Sequence, residues 1–231
     1  MRSVPDENDP TLLYRQVAAL GQALASPKRL QLLMLLSQAE KPVSRLAAQT
    51  GQSVAAVSAQ LQALKRAGLA IDRRDGKRIG YRLSDPAVLT LVGQMLETAQ
   101  AVLPAARAVV DEFLDDPQTL VPLSAKQVTT EVAAGRVVLI DLRPDDEYAA
   151  GHLAGARSVP AATVAGRLDE LQAWGDDAEL VGYCRGPYCL TGAFAVRHAR
   201  EHGVAMKRLP LGVNEWRASR RKVVTGIEPW G

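Results

Sequence analysis

The chain has 231 residues, of which 47% are hydrophobic and 23% charged, with a net charge of +3. That balance fits folded globular domains and excludes a disordered or low-complexity polypeptide, and the length suits two ordinary domains. No uncharged apolar run approaches the roughly 20 residues needed to span a bilayer, and the first ten residues carry acids where a secretory signal would be apolar. The expected setting is therefore the reducing cytoplasm, with no membrane partner. A close cysteine pair there, Cys184 and Cys189, is more often reactive than structural.

In chain order, residues 11–25 place Leu12, Leu13, Val17 and Leu20 on one side of a predicted helix. Ser26 and Pro27 open a second helix as N-cap and first helical residue, reaching about Gln38. Short helices follow over 43–50 and 53–67. The period then changes, and residues 69–71 and 79–83 read as strands around Asp75-Gly76, a strong hairpin pair. A long apolar-periodic stretch over 86–114 is interrupted by Pro104, which must split or kink it. Asp115-Asp116-Pro117-Gln118 marks the expected domain boundary, giving domains 1–116 and 117–231. Beyond it, strands over 137–142 and 180–184 alternate with helical stretches over 161–174 and 191–202. That alternation implies an α/β domain with a parallel sheet covered on both faces.

Charge is concentrated in one place. From Lys65 to Arg82 seven basic residues stand against two acidic ones, a net of +5, which suits either a polyanionic partner or a solvated charged face. Ser53 can cap a helix whose apolar side carries Val54, Val57, Leu61 and Leu64. Its other side shows Ala55, Ser58, Ala59, Gln60 and Gln62, side chains small or amide-bearing enough to enter a major groove and bond base edges. Helix, turn, capped helix and basic hairpin make a winged helix-turn-helix. In such a domain the second helix reads bases, while Lys65, Arg73, Arg74, Lys77 and Arg78 of the helix end and wing hold phosphates.

Residues 14–85 resemble the ArsR-type winged-helix repressors. The resemblance is carried by Ala25-Ser26-Pro27-Lys28-Arg29-Leu30, Val57-Ser58-Ala59-Gln60-Leu61, Ala67-Gly68-Leu69, and Asp75-Gly76-Lys77-Arg78 with Tyr81-Arg82-Leu83. It implies a homodimer joined through residues 11–25 and 86–114, on two-fold related operator DNA. The metal-sensing members of that family place cysteines at the first helix of the motif, or histidines and acids on the last helix. Here 41–48 and 86–114 contain neither Cys nor His, so no metal site is expected in this half.

The strand over 180–184 runs into Cys184-Arg185-Gly186-Pro187-Tyr188-Cys189 before the next helix. A strand-to-helix loop gathers backbone N–H groups about a concave point, reinforced by the helix N-terminus. A thiolate at Cys184 would be stabilised there by amides, dipole and Arg185, and so be available as a nucleophile. The competing reading is a buried structural cysteine.

Residues 118–226 resemble the rhodanese sulfurtransferase domain, through Leu139-Ile140-Asp141-Leu142-Arg143 with Glu147-Tyr148, Gly151-His152-Leu153-Ala154-Gly155-Ala156, Tyr183-Cys184-Arg185-Gly186, and Leu211-Gly212 with Trp216. The resemblance implies that Cys184 accepts a sulfane sulfur, with Arg185 as electrostatic partner. Gly186, Pro187, Tyr188 and Cys189 complete the six-residue loop, which Asp141 and Arg143 support from the strand end. The chain departs from that family at Pro187, which removes an amide donor, and at Cys189. A persulfide on Cys184 could be attacked by Cys189 to give a disulfide and hydrosulfide.

The leading expectation is a DNA-binding regulator whose second domain handles reactive sulfur, with a sulfane-sulfur donor or another small thiophilic ligand as its other partner. A sulfurtransferase in which the winged helix only localises or dimerises the enzyme is the alternative. A third reading is an arsenite-type sensor through Cys184 and Cys189. None of these calls for a cofactor.

Overall fold

Ser26 Oγ accepts the backbone N–H of Arg29 at the start of α2 (Pro27–Leu36), with Pro27 as first helical residue, so this helix begins where its cap requires. It follows α1 (Leu12–Leu24) and precedes α3 (Val43–Thr50) and α4 (Val54–Arg66). The computed structural model describes residues 10–76, 78–121 and 123–226. It divides into two compact units, Met1–Gln94 and Met95–Gly231.

In the first unit, Leu32, Leu33, Leu46, Val57, Leu61, Leu64 and Leu69 are buried and form the apolar centre. A two-residue strand β1 (Lys41–Pro42) pairs antiparallel with β3 (Arg78–Leu83), which pairs with β2 (Ala70–Asp75), so the sheet order is β1-β3-β2. Asp75 faces Arg78 across the hairpin end, so the turn starts at Gly76, at φ +58°, one position later than an Asp-Gly centre would place it. Lys77 lies outside the described residues. The face expected to bury Leu13 and Val17 is open, at 71% and 57% exposure, with Tyr14 at 71%. α5 (Pro86–Val102) and α6 (Pro104–Phe113) are separated at Leu103, where Pro104 starts a new helix.

In the second unit, four parallel strands form a sheet of order β6-β4-β7-β8, comprising β4 (Val137–Asp141), β6 (Arg157–Ser158), β7 (Glu179–Cys184) and β8 (Met206–Gly212). Side chains alternate across it, as period two demands. Val137, Leu139, Val181 and Tyr183 enter a core with Tyr148 and Trp216. Ile140, Leu180 and Cys184 enter another with Val196 and Met206. The helices are α7 (Ala125–Ala133), α8 (Asp145–Ala150), α9 (Leu168–Gly175), α10 (Leu190–Glu201) and α11 (Val213–Ala218), and a small ribbon pairs β5 (His152–Leu153) with β9 (Val223–Val224).

The stretch expected to be helical over 161–174 is broken. A 3-10 turn over Ala161–Gly166 precedes α9, because Arg167 leaves helical backbone geometry and its guanidinium grips Glu170 and the Ser158 carbonyl. α6 packs onto α10 within this unit: Val110 and Leu114 cluster with Ala193, and Phe113 meets Phe194 edge-on at 5.5 Å.

Candidate functional site

The residues expected to face DNA start from a cap. Ser53 Oγ accepts the Ala56 N–H, 3.2 Å, and fixes the first turn of α4. Val57, Leu61 and Leu64 are fully buried beneath it, whereas Val54, expected on that apolar side, is 55% exposed. Its position at the first turn points it away from the core, because the buried stripe begins only at Val57. Ala55, Ala59 and Gln62 are exposed and Ser58 half-buried. Gln60 differs: its Oε1 accepts from Arg29 Nη1 at 3.3 Å, tying it to α2. Lys65 pairs with Asp72 at 2.5 Å, Arg73 with Glu40 at 3.0 Å, and Arg74 Nε donates to the Gly76 carbonyl. These contacts lie on the solvated surface and can be exchanged for phosphate at little cost. Arg78 is exposed on β3.

The cysteine loop is built differently, on buried ions. Asp141 and Arg143 are both completely buried, with Nη2 2.6 Å from Oδ2 and Nε 3.0 Å from Oδ1. Arg143 also donates to the Gly151 carbonyl, and the Tyr183 hydroxyl donates to Asp141 Oδ2 at 2.5 Å while accepting the Leu153 N–H. The network locks the end of β4 to Tyr183 of β7, immediately before Cys184. Asp141 and Arg143 thus lie at the strand end beside the loop, while Arg185 has a firmer commitment than anticipated. Its guanidinium makes two bonds, 2.9 and 2.8 Å, to the fully buried carboxylate of Glu147.

Cys184 ends β7 at 4% exposure and Cys189 is the N-cap residue of the twelve-residue α10. Both are free thiols with their Sγ atoms 2.9 Å apart, close enough to share a proton. The loop can fold so tightly because Gly186 holds φ +126°, where other residues are strained, and because Gly192 has no side chain. A Cβ on Gly192 would stand 2.7 Å from that of Cys184. Tyr188 points outward, its hydroxyl donating to Gln100 Oε1 at 3.1 Å.

Electrostatics revise the expectation of a thiolate at Cys184. Contact with Cys184, the Arg185 and Gly192 amides and the Arg185 guanidinium bring Cys189 down to about 6. Contact with Cys189 and burial hold Cys184 well above the ordinary thiol value. The main cause is the contact between the two sulfurs, which lowers one thiol only by raising the other. The pair therefore carries one negative charge near neutral pH, shared across the 2.9 Å contact, and titrates as a unit.

Three contributors escaped sequence reasoning. Glu147 was visible only as part of a motif, and Gly192 looked like one more small residue in a helix. Arg208 had only a faint signal, as one of two adjacent cations, Lys207 and Arg208, in a strand whose other side chains are apolar. It is 4% exposed, and its Nη1 donates to the Pro187 carbonyl in the loop, 3.1 Å.

Comparison with known proteins finds a family match in each half of the chain. Residues 26–72 match the family described as bacterial regulatory protein, arsR family, and residues 124–219 match the rhodanese-like domain. The HTH-type transcriptional regulator Rv0324 of Mycobacterium tuberculosis is 40% identical over 214 residues, 93% of this chain and 92% of its own length. The regulator NmtR of the same organism is 43% identical over 84 residues, covering 36% of this chain and 67% of NmtR. The solution structure of the homodimeric winged helix-turn-helix DNA-binding domain of Mb0332 from Mycobacterium bovis is 38% identical, covers 44% of this chain and 94% of that one, and has a TM-score of 0.40. No helix among the described residues is long and apolar enough to cross a membrane. The chain belongs to the ArsR family of HTH-type transcriptional regulators, and its C-terminal half carries a rhodanese-like domain.

Proposed function

We propose that this regulator senses reactive sulfur through Cys184 and Cys189 and answers by changing its affinity for operator DNA. The observation that carries the reading is the 2.9 Å approach of two free thiols that share one charge. A donor persulfide is attacked at its outer sulfur by Cys184, whose proton passes to Cys189 as the donor's S–S bond breaks and its thiolate leaves. Cys189 then attacks Cys184 Sγ. The Sγ–Sγ bond forms, the bond to the sulfane sulfur breaks, and hydrosulfide departs with the Cys189 proton as hydrogen sulfide. The sulfane sulfur is the oxidant, so no other is needed. Because the pair starts with one negative charge and ends as a neutral disulfide, the reaction switches a charge as well as a bond.

On the DNA side, α4 presents Ala55, Ser58, Ala59 and Gln62 to base edges while Lys65, Arg73, Arg74, Lys77 and Arg78 engage phosphates. The exposed apolar residues Leu13, Tyr14 and Val17 of α1, with Val102, Leu103 and Val109 around the α5–α6 junction, support a homodimer in the cytoplasm. In that reading α5 and α6 serve the DNA-binding and dimerising half, with the functional boundary near residues 116 and 117. The test is operator binding with and without inorganic polysulfide, on a duplex selected from random DNA by the wild-type protein. Wild-type affinity should change and that of Cys184→Ser should not. An affinity indifferent to polysulfide in both proteins refutes sensing.

A further inference from the structure

Arg208 is a buried cation whose direct partners are neutral. One is the Pro187 carbonyl in the cysteine loop, and the other is the carbonyl of Leu114, the C-cap residue of α6, bound through Nη2. Among the described residues no carboxylate forms an ion pair with it. Burial pulls its pKa below the ordinary arginine value, and the negative groups acting on it through space are Cys189, Asp115 and Cys184. Asp115 lies near the surface, where Arg107 approaches it at 3.7 Å. A guanidinium taken out of water needs a countercharge, and arginine does not escape the need by losing its proton. The anionic cysteine pair is the buried group able to meet that need.

Beside Arg208 a cleft of about 340 Å³ opens, lined among others by Phe113, Asp116, Thr119, Arg200 and Glu201. It offers the guanidinium somewhere to go, with the carboxylates of Asp116 and Glu201 at hand among the cations Arg197 and Arg200. We propose that Arg208 couples the cysteine pair to α6: while the pair is anionic the guanidinium clasps Pro187 and Leu114, and when disulfide formation neutralises the pair it swings toward Asp116 and Glu201 and releases the last turn of α6. The inference rests on the reading that the loop takes up sulfane sulfur, and adds the residue that transmits the event. The route onward is covalent, since α6 follows α5 across Leu103 and α5 begins within the winged-helix unit.

The experiment compares full-length wild type, Arg208→Gln and Arg208→Lys. Cysteine state is read by mass spectrometry, the first thiolate by its ultraviolet absorbance during a pH titration, and affinity on the selected duplex before and after polysulfide. Wild type should change affinity by about tenfold, within the usual range of coupling between two sites. Arg208→Gln should form the same disulfide yet change affinity less than about twofold, and its first thiolate should appear at higher pH. Arg208→Lys should keep the thiolate midpoint, because the charge remains, and lose the coupling, because one ammonium cannot span both carbonyls. A merely structural Arg208 would not separate these readouts. Should the glutamine variant not fold, hydrogen exchange on wild type decides, with amides of residues 113–115 exchanging faster after polysulfide. The proposal is overturned if oxidised Arg208→Gln responds like wild type, or if those amides are unchanged while affinity shifts. If polysulfide leaves the wild-type cysteines unmodified, the sulfur reading falls and takes this inference with it.

Discussion

The two units use charge in opposite ways. In the winged-helix unit the wing's cations are solvated, Arg73 keeping 62% of its side chain exposed even while paired. Lys41 is the buried exception. In the rhodanese-like unit Asp141, Arg143, Glu147 and Arg208 are all at or below 4% exposure. A surface cation gains little from any one neighbour and can trade it for a long polyanion. A buried ion is bound to its neighbours by the cost of removing them, so it fixes the geometry of a small site. One unit is built for affinity that salt can tune, and the other for a defined chemical state.

Substitutions can break or sharpen that contrast. The largest effect should come from Asp141→Ala, which strands buried Arg143 and should destabilise the rhodanese-like unit by about 3–5 kcal/mol. Thermal unfolding followed through its hydrogen-exchange-protected strands would show it, and a loss below about 1 kcal/mol would mean that the pair is not the clamp described. On the other unit, Gln62→Ala should cost about 1–3 kcal/mol on a selected operator and relax its sequence preference. Arg78→Ala should instead weaken all sequences alike and lower the salt slope by about one. If both variants behave identically across sequences, α4 is not the reading helix.

A third prediction concerns pH. With Cys189 at about 6, the pair gains its thiolate as pH rises through that value. Iodoacetamide labelling should therefore climb on passing pH 6 and fall by about tenfold for each unit below it. In Cys189→Ser the rise should move to higher pH, and an unchanged midpoint would locate the thiolate elsewhere. The smallest effect should be Arg73→Ala, where loss of the exposed pair with Glu40 changes stability by about 0.2–1 kcal/mol. A value near that of Asp141→Ala would erase the distinction between the units.

Much of the architecture was legible in local chemistry. Ser26-Pro27, Ser53 and Pro104 mark helix starts because their effects act within a turn, and Asp75-Gly76 sets its hairpin for the same reason. The alternation of buried strands and helices identified the parallel sheet. The interruption at Arg167 was not legible, since it depends on a grip on Ser158 nine residues away. Periodicity alone did not say what covers the apolar side of α1, because it reports that such a side exists and not its partner.

At the cysteine loop the division is sharper still. Sequence by itself determined that two thiols bracket a six-residue strand-to-helix loop with Arg185 inside it, and that the other half reads DNA. Only tertiary structure decided that the two thiols meet and share one charge, that Arg185 belongs to Glu147, and that Arg208 reaches both the loop and the end of α6. The physical reason is range. Caps, turns and periodicity are fixed by neighbours a few residues away, whereas the state of a buried charge depends on which distant groups the fold brings within a few ångströms and how thoroughly it excludes water.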